Sequence, residues 1–250
     1  HRILDTLTIL RNGYRVGALE THTGHSRSSV KEWRKRICDA INEHLRHESG
    51  MYLETDVHKL KEIARGFEMF TRSQLPHCIG IVDGTHIRIR SGDLSYANHK
   101  GFKSINVQVF IDHRGRIRDC GDEWTHTPGS RGDMAVYNVS DLRCWIEERA
   151  RDGVLGQREI GGEWMSWFVA ADGGYALRPS LMIPYTKERG VAVLPEYQGQ
   201  FNFWFSSTRM LVEEVIGVVK GKWKILTSFH NLPYSPDEVQ NMFTTCAILH

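Results

Sequence analysis

A chain of 250 residues, 40% hydrophobic and 25% charged, can bury a substantial core and suggests one medium domain with an appendage, or one elaborated domain. No apolar stretch reaches the roughly 18–20 residues of a membrane span and no secretory signal opens the chain, so no membrane partner is expected. The net charge of +2 is too small to mark a nucleic-acid binder, so any phosphate-binding face must be local. The five cysteines (Cys38, Cys78, Cys120, Cys144, Cys246) are widely spaced and form no CxxC pair, which argues against a zinc ribbon or a disulfide framework and for a reducing, intracellular compartment. The chain opens on His1 rather than Met and stops in mid-pattern at AILH, so we read it as a region of a longer product.

In chain order, residues 1–70 read as helical. ILDTLTILRNG places Ile3, Leu4, Leu7, Ile9 and Leu10 ahead of Gly13, a helix stop. GALETHTGHSRSSVKEWRKRICDAINEHLRH follows, with a short helix candidate and a turn at Gly24. Ser26 or Ser28 then caps a longer helix bearing Val30, Trp33, Ile37 and Ile41 on one face. Helix, tight turn and longer helix with a basic outer face (Arg27, Lys31, Arg34, Lys35, Arg36) outline a helix-turn-helix. A solvated surface helix accounts for the same pattern equally well. A third helix over roughly 56–70 leads through a break at Pro76 into strands and turns.

IGIVDGTHIRIR and SINVQVFIDHRGRIRDCGDEW read as strands, the second with Ile105, Val107, Val109 and Ile111 alternating and a hairpin turn over 112–115. THTPGSRGD is a loop, and a helix opens at Asp133 and runs to about 150. Residues 151–165 look loop-like, WFVAAD is a strand, and SLMIPYTKERGVAVLPEYQGQ is an irregular connector. From about residue 203 the pattern returns to helix and carries Glu213.

Asp83 interrupts an apolar strand, where a carboxylate is costly unless paired, and a divalent cation is the usual compensation. Asp172 ends the WFVAAD run before a Gly-Gly turn, and Glu213 rides a helix whose Val212, Val215, Ile216 and Val219 recur at helical spacing. Two strand-borne aspartates and a helix-borne glutamate are the parts of a two-metal phosphoryl-transfer site, which needs several carboxylates around ions about 3.5–4 Å apart. Each also has a plainer explanation. Asp83 and Asp172 suit turns that cap their own backbone. Glu213 suits an exposed helix position and competes with Glu214, although Glu213, Gly217 and Lys220 share one stripe and Gly217 leaves room for close approach. Asp133 suits a first helical turn, and His86 and His126 are candidates to assist nearby.

In order, IVDGTH, Tyr96–Asn98–Lys100–Gly101–Phe102 followed by SINVQVFID, WTHTPGSRGD, ADGGYALRPSLMIPY, and the spacing from Arg209 through Glu213 and Gly217 to Lys220 resemble the PIF/Harbinger transposases and their domesticated nuclease relatives, which carry a DDE superfamily endonuclease domain. The resemblance runs from about Leu75 to the end, and the N-terminal helices are similar to the helix-turn-helix segment that precedes that domain. It implies an α/β fold: a ribonuclease H-like mixed sheet flanked by helices over 73–250, preceded by a helical, helix-turn-helix-like region over 1–72. It implies Asp83, Asp172 and Glu213 as the catalytic, metal-binding triad, with Asp133 as a fourth acidic contributor. Arg209 and Lys220 are then phosphate contacts, joined on the N-terminal helix by Arg27, Lys31, Arg34 and Lys35. Glu214 is an extra acid beside the glutamate, so the choice of Glu213 rests on its spacing from Arg209 and Gly217.

The expected function is a metal-dependent DNA endonuclease or transposase. It would use two divalent cations (Mg²⁺ or Mn²⁺) to cut at an element's end and join the freed 3′-hydroxyl to target DNA. The implied partners are DNA, a Myb-like accessory protein and, with the stoichiometry left open, further copies in a homo-oligomer. The implied location is the nucleus. A domesticated, non-catalytic DNA- or protein-binding module is the rival reading, and a structure-specific two-metal nuclease a third.

Overall fold

The computed structural model describes the chain apart from residues 15–17, 19, 21–23, 70–74, 91, 122–126, 152, 154–155, 161, 188–192 and 229–233. Three helices come first: α1 (Arg2–Asn12), α2 (Arg27–Leu45) and α3 (Val57–Glu68). Their ends follow local chemistry. Gly13 stops α1 in the left-handed region (φ 67) with its N–H on the Ile9 carbonyl. Ser26 caps α2 by accepting from the Ser29 N–H, and Asp56 caps α3 by accepting from the His58 N–H. The short helix expected between α1 and α2 falls mostly outside the described residues.

β1 (Cys78–Arg88), β2 (Ser104–Ile111) and β3 (Ile117–Asp119) form an antiparallel meander, with β4 (Thr127–Pro128) paired to the start of β2. The turn into β3 is the one expected: Gly115 donates to the Asp112 carbonyl and Asp112 to that of Arg116. Two helices, α4 (Asp133–Asn138) and α5 (Asp141–Arg151), replace the single helix expected over 133–150. Ser140 divides them, its hydroxyl donating to the Tyr137 carbonyl and accepting from the Arg143 N–H, which ends one helix and caps the next. The loop-like stretch 151–165 contains a separate hairpin, β5 (Arg158–Ile160) with β6 (Glu163–Met165).

β7 (Phe168–Ala170) then joins β1 in parallel, and β8 (Leu181–Met182) joins β7 in parallel, giving the order β3-β2-β1-β7-β8. This mixed sheet flanked by helices is ribonuclease H-like. Every residue of β2 is buried, so the sheet is covered on both faces. Gly80 in β1 is required by a neighbour: a Cβ there would lie 1.9 Å from the Phe110 ring. The long helix α6 (Glu196–Lys222) starts a full two turns before the expected 203, directly after Pro195. Then α7 (Ile225–Ser228) and α8 (Pro236–Ile248) close the chain, α8 behind a capping box of Ser235 and Glu238.

The N-terminal helices are sealed to the sheet rather than tethered beside it. A contiguous cluster of buried side chains includes Ile9, Val30, Leu60 and Phe67 together with Ile81, Val109 and Phe243. Asn42 of α2 donates to the Asn241 carbonyl of α8 at 3.1 Å, and Thr245 donates to Asn42 Oδ1 at 3.0 Å. Glu54 is buried against Arg118 of β3 at 3.4 Å.

Arg34 corrects the expectation of a basic outer face that included it. Its side chain is 2% exposed, bonded to Glu238 at 2.7 Å and stacked 4.4 Å over the Tyr234 ring, so it ties α2 to the C-terminal helix. Arg27, Lys31, Lys35 and Arg36 are exposed as expected, with Arg27, Lys35 and Arg36 each paired to a nearby acid. All five cysteines are free thiols, and among the described residues no helix is long and apolar enough to cross a membrane. Because truncation removes a buried guanidinium together with its bond to Glu238 and its stacking on Tyr234, Arg34→Ala should cost about 2–4 kcal/mol in urea unfolding, against under about 0.5 kcal/mol for Lys31→Ala.

Candidate active site

The register of two strands builds the site. β1 and β7 run parallel with Ile81 opposite Ala170. Two residues further along each chain stand Asp83 and Asp172, so the pairing sets them side by side, about 4.8 Å being the usual spacing of neighbouring strands. Both turn-like explanations are realised at once. Asp83 Oδ1 accepts from the Gly84 N–H and Asp172 Oδ1 from the Gly174 N–H, each at 2.9 Å, which engages one oxygen of each carboxylate.

Asp133, the first residue of α4, leans over both. Asn106 in β2 donates to its Oδ1 at 2.7 Å. A Cβ on Gly84 would lie 1.9 Å from Asp133 Oδ1, so the bare glycine beside Asp83 is what admits this carboxylate. A Cβ on Gly174 would lie 3.0 Å from Asp172 Oδ1 and 3.3 Å from Asp133 Oδ2, which places these two oxygens about a common point.

Burial pushes the Asp83 carboxyl up to about 6. The Arg209 guanidinium pulls it back, and the Asp172 and Asp133 charges push it further. Tyr175 lies in the same pocket of charge. Its hydroxyl is buried with no hydrogen-bond partner among the described residues, and burial together with Asp133, Asp83 and Asp172 holds it well above the ordinary phenol range.

Glu213 is not in this group. It accepts from Arg209 Nη2 at 2.8 Å, one turn earlier on α6, and its side chain is 55% exposed. Arg209 lowers the Asp83 carboxyl from this helix, and Asp83 in turn acts on Lys220. Lys220, two turns further on, donates to Thr85 Oγ1 at 2.7 Å and to the His86 carbonyl at 3.1 Å. Among the described residues nothing lies within 4 Å of the place a Cβ on Gly217 would take. His86 shares a 2.9 Å hydrogen bond with Ser104, and burial lowers its titration against the pull of Asp133. His126 lies outside the described residues. The structure thus gathers Asp83, Asp172 and Asp133 and leaves Glu213 on Arg209. Among the described residues no three or more His, Cys, Asp or Glu side chains stand ready around a metal.

Sequence reasoning passed over Asn106 and Tyr175. The available signal at Asn106 was a polar residue in a strand of alternating apolar side chains, and at Tyr175 an aromatic directly after the Gly-Gly turn.

Asp83 thus stands within the first strand of a ribonuclease H-like sheet and Asp172 two residues past the end of β7. The chain belongs to the DDE superfamily endonuclease family, whose pattern matches residues 82–250. It is 25% identical over 243 residues to HARBI1 of Homo sapiens, named as a candidate nuclease, and the alignment covers 95% of this chain and 63% of that protein. The ALP1-like protein of Arabidopsis thaliana is 25% identical over 257 residues, covering 100% of this chain and 59% of its own length. The named transposase candidate of insertion sequence element IS112 in Streptomyces albus G is 31% identical over 146 residues, 58% of this chain and 48% of that one. These relatives bear out the resemblance to Harbinger transposases and their derived nucleases, and the chain spans less than two thirds of their length. No solved structure matches the chain.

A carboxyl whose folded pKa lies above its unfolded value holds its proton more tightly in the folded chain. The Asp83 contribution therefore falls as pH rises from 3.8 to about 6, and its full cost is present above that. Asp83→Asn should accordingly raise stability at pH 7 in metal-free buffer by about 1–2 kcal/mol and leave it unchanged near pH 3, as read by urea unfolding across pH.

Proposed function

We propose that this chain is a metal-dependent DNA endonuclease of the transposase type, in which Asp83 and Asp172 would hold the metal, Asp133 would close in as a further acid and Glu213 would be recruited from Arg209. The observation that carries it is the parallel register that sets Asp83 beside Asp172 while Asp133 lies across them on Gly84 and Gly174. Carboxylates crowded this way repel one another, and a divalent cation is the usual relief. The donors are all hard oxygens, a set suited to Mg²⁺ or Mn²⁺ and not to soft metals, and the Tyr175 hydroxyl, without a hydrogen-bond partner among the described residues, feels the charge of all three acids. When bound, such ions neutralise charge on a phosphate and acidify a water.

The chain's own residues supply the rest. Asp83 sits on a central strand paired on both sides, so its position does not drift. Among the described residues, Glu213 is the hydrogen-bond partner of Arg209, at its Nη2. A DNA phosphate oxygen is a competing acceptor for that guanidinium, and on its arrival Glu213 is free to turn toward the aspartates. Substrate binding then completes the carboxylate set, and Lys220 holds the strand alongside. Arg27, Lys31 and Lys35 contact phosphates from the exposed face of α2, while Arg34 has no such role. Sequence recognition at the element's ends falls to a Myb-like partner, and the substrate puts the protein in the nucleus.

The rival is a non-catalytic DNA- or protein-binding module, favoured by the ion pair that keeps Glu213 from the aspartates. Nicking of a supercoiled plasmid separates the two. With Mg²⁺ or Mn²⁺ the protein should nick, and Asp83→Asn, Asp172→Asn and Glu213→Gln should abolish nicking while DNA binding survives. Binding without nicking in either metal would leave only the module. The Gly84→Ala change, whose methyl occupies the place of Asp133 Oδ1, should lower the nicking rate about 10²-fold with the thermal midpoint kept.

A further inference from the structure

The segment from Tyr96 to Phe102 has no task in the reading above, yet it is built with care. Asn98 is buried and spends its whole amide on the turn. Its Oδ1 accepts from the Lys100 N–H at 2.9 Å and the Phe102 N–H at 3.3 Å, and its Nδ2 donates to Ser104 Oγ at 3.0 Å. Its backbone N–H meets the Phe102 carbonyl at 2.9 Å, and Gly101 takes the left-handed conformation the reversal needs (φ 80). Ser104 in turn bonds His86 of β1 at 2.9 Å. The turn is therefore fastened to the strand that carries Asp83.

What this turn presents is positive. His99 and Lys100 are exposed at its tip. The His99 ring lies 5.8 Å from that of His86, whose carbonyl accepts from Lys220. Burial and then the nearby Lys100 charge lower the Lys220 ammonium, and among the described residues neither lysine has a carboxylate at ion-pair distance. Thr85 and His86, where Lys220 is anchored, are two and three residues past Asp83, about 7–10 Å along the strand. Asp83 is the acid whose charge reaches Lys220, and it offsets only part of the cost of burying Lys220 beside a second lysine, a cost that an anion removes.

We propose that the Asn98-anchored turn is a second phosphate subsite, in which Lys100 with Lys220 grips the DNA backbone phosphate next to the one at the aspartates and Asn98 is the positioning residue. The identity of the strand rests on the nuclease reading, but the test does not require cleavage. Binding of a short labelled DNA duplex in EDTA is followed from about 50 to about 200 mM salt. Lys100→Ala should lower the slope of log affinity against log salt by about 0.9 with an unchanged thermal midpoint, and Lys100→Arg should restore it. Asn98→Ala should lose the same slope although Lys100 is present. Lys100 lies at the surface, so its variants decide the matter if the Asn98 variant unfolds. An unchanged slope in Lys100→Ala overturns the subsite, even in a protein that nicks DNA. A reduced slope in a protein that nicks nothing supports the subsite and sinks the nuclease reading instead.

Discussion

Two aspartates held abreast on parallel strands are a repulsion the fold cannot relax. Hydrogen bonds along β1 and β7 set the register, and the register sets the carboxylates. Moving either strand by one residue would swing its whole set of side chains to the opposite face and cost the core, so the charge is tolerated instead. Around it the structure spends its polar groups. Asn106 steadies Asp133, glycine backbone N–H groups take one oxygen each from Asp83 and Asp172, and Arg209 lends a positive charge from α6. The mutual repulsion of these carboxylates is the constraint around which the neighbouring polar groups are arranged.

The helical region is part of the same body of packing. Arg34, Asn42 and Glu54 each reach a partner more than sixty residues away, on α8 or β3. Part of the basic face of α2 is thus committed inside, and what remains outward is the row of Arg27, Lys31 and Lys35. That row is joined to the strands bearing the aspartates through one shared core.

Much of this was legible in the chain. Alternation of β-branched residues marked β1 and β2, Gly115 marked the hairpin, and Ser26 and Asp56 marked helix starts, because each signal acts over a few residues. Short elements escaped for the converse reason. Strands of two or three residues such as β8 and β5 carry no period to read, and the break at Ser140 depends on one hydroxyl choosing its own backbone. Arg34 and Lys35 are indistinguishable on a helical wheel drawn for one helix; only the arrival of Glu238 and Tyr234 from the far end of the chain buries the first and leaves the second outside.

The sequence by itself determined which residue types were present for the chemistry and on which kind of element each would stand: Asp83 in a strand, Asp172 at a strand's end, Asp133 opening a helix, Glu213 within one. Local periodicity suffices for that. Which carboxylates actually meet was decided by tertiary structure alone, since it turns on the β1–β7 register, on the absence of side chains at Gly84 and Gly174, and on a guanidinium that holds Glu213 away. Those are relations between segments distant in the chain, and distance in the chain carries no record of distance in space.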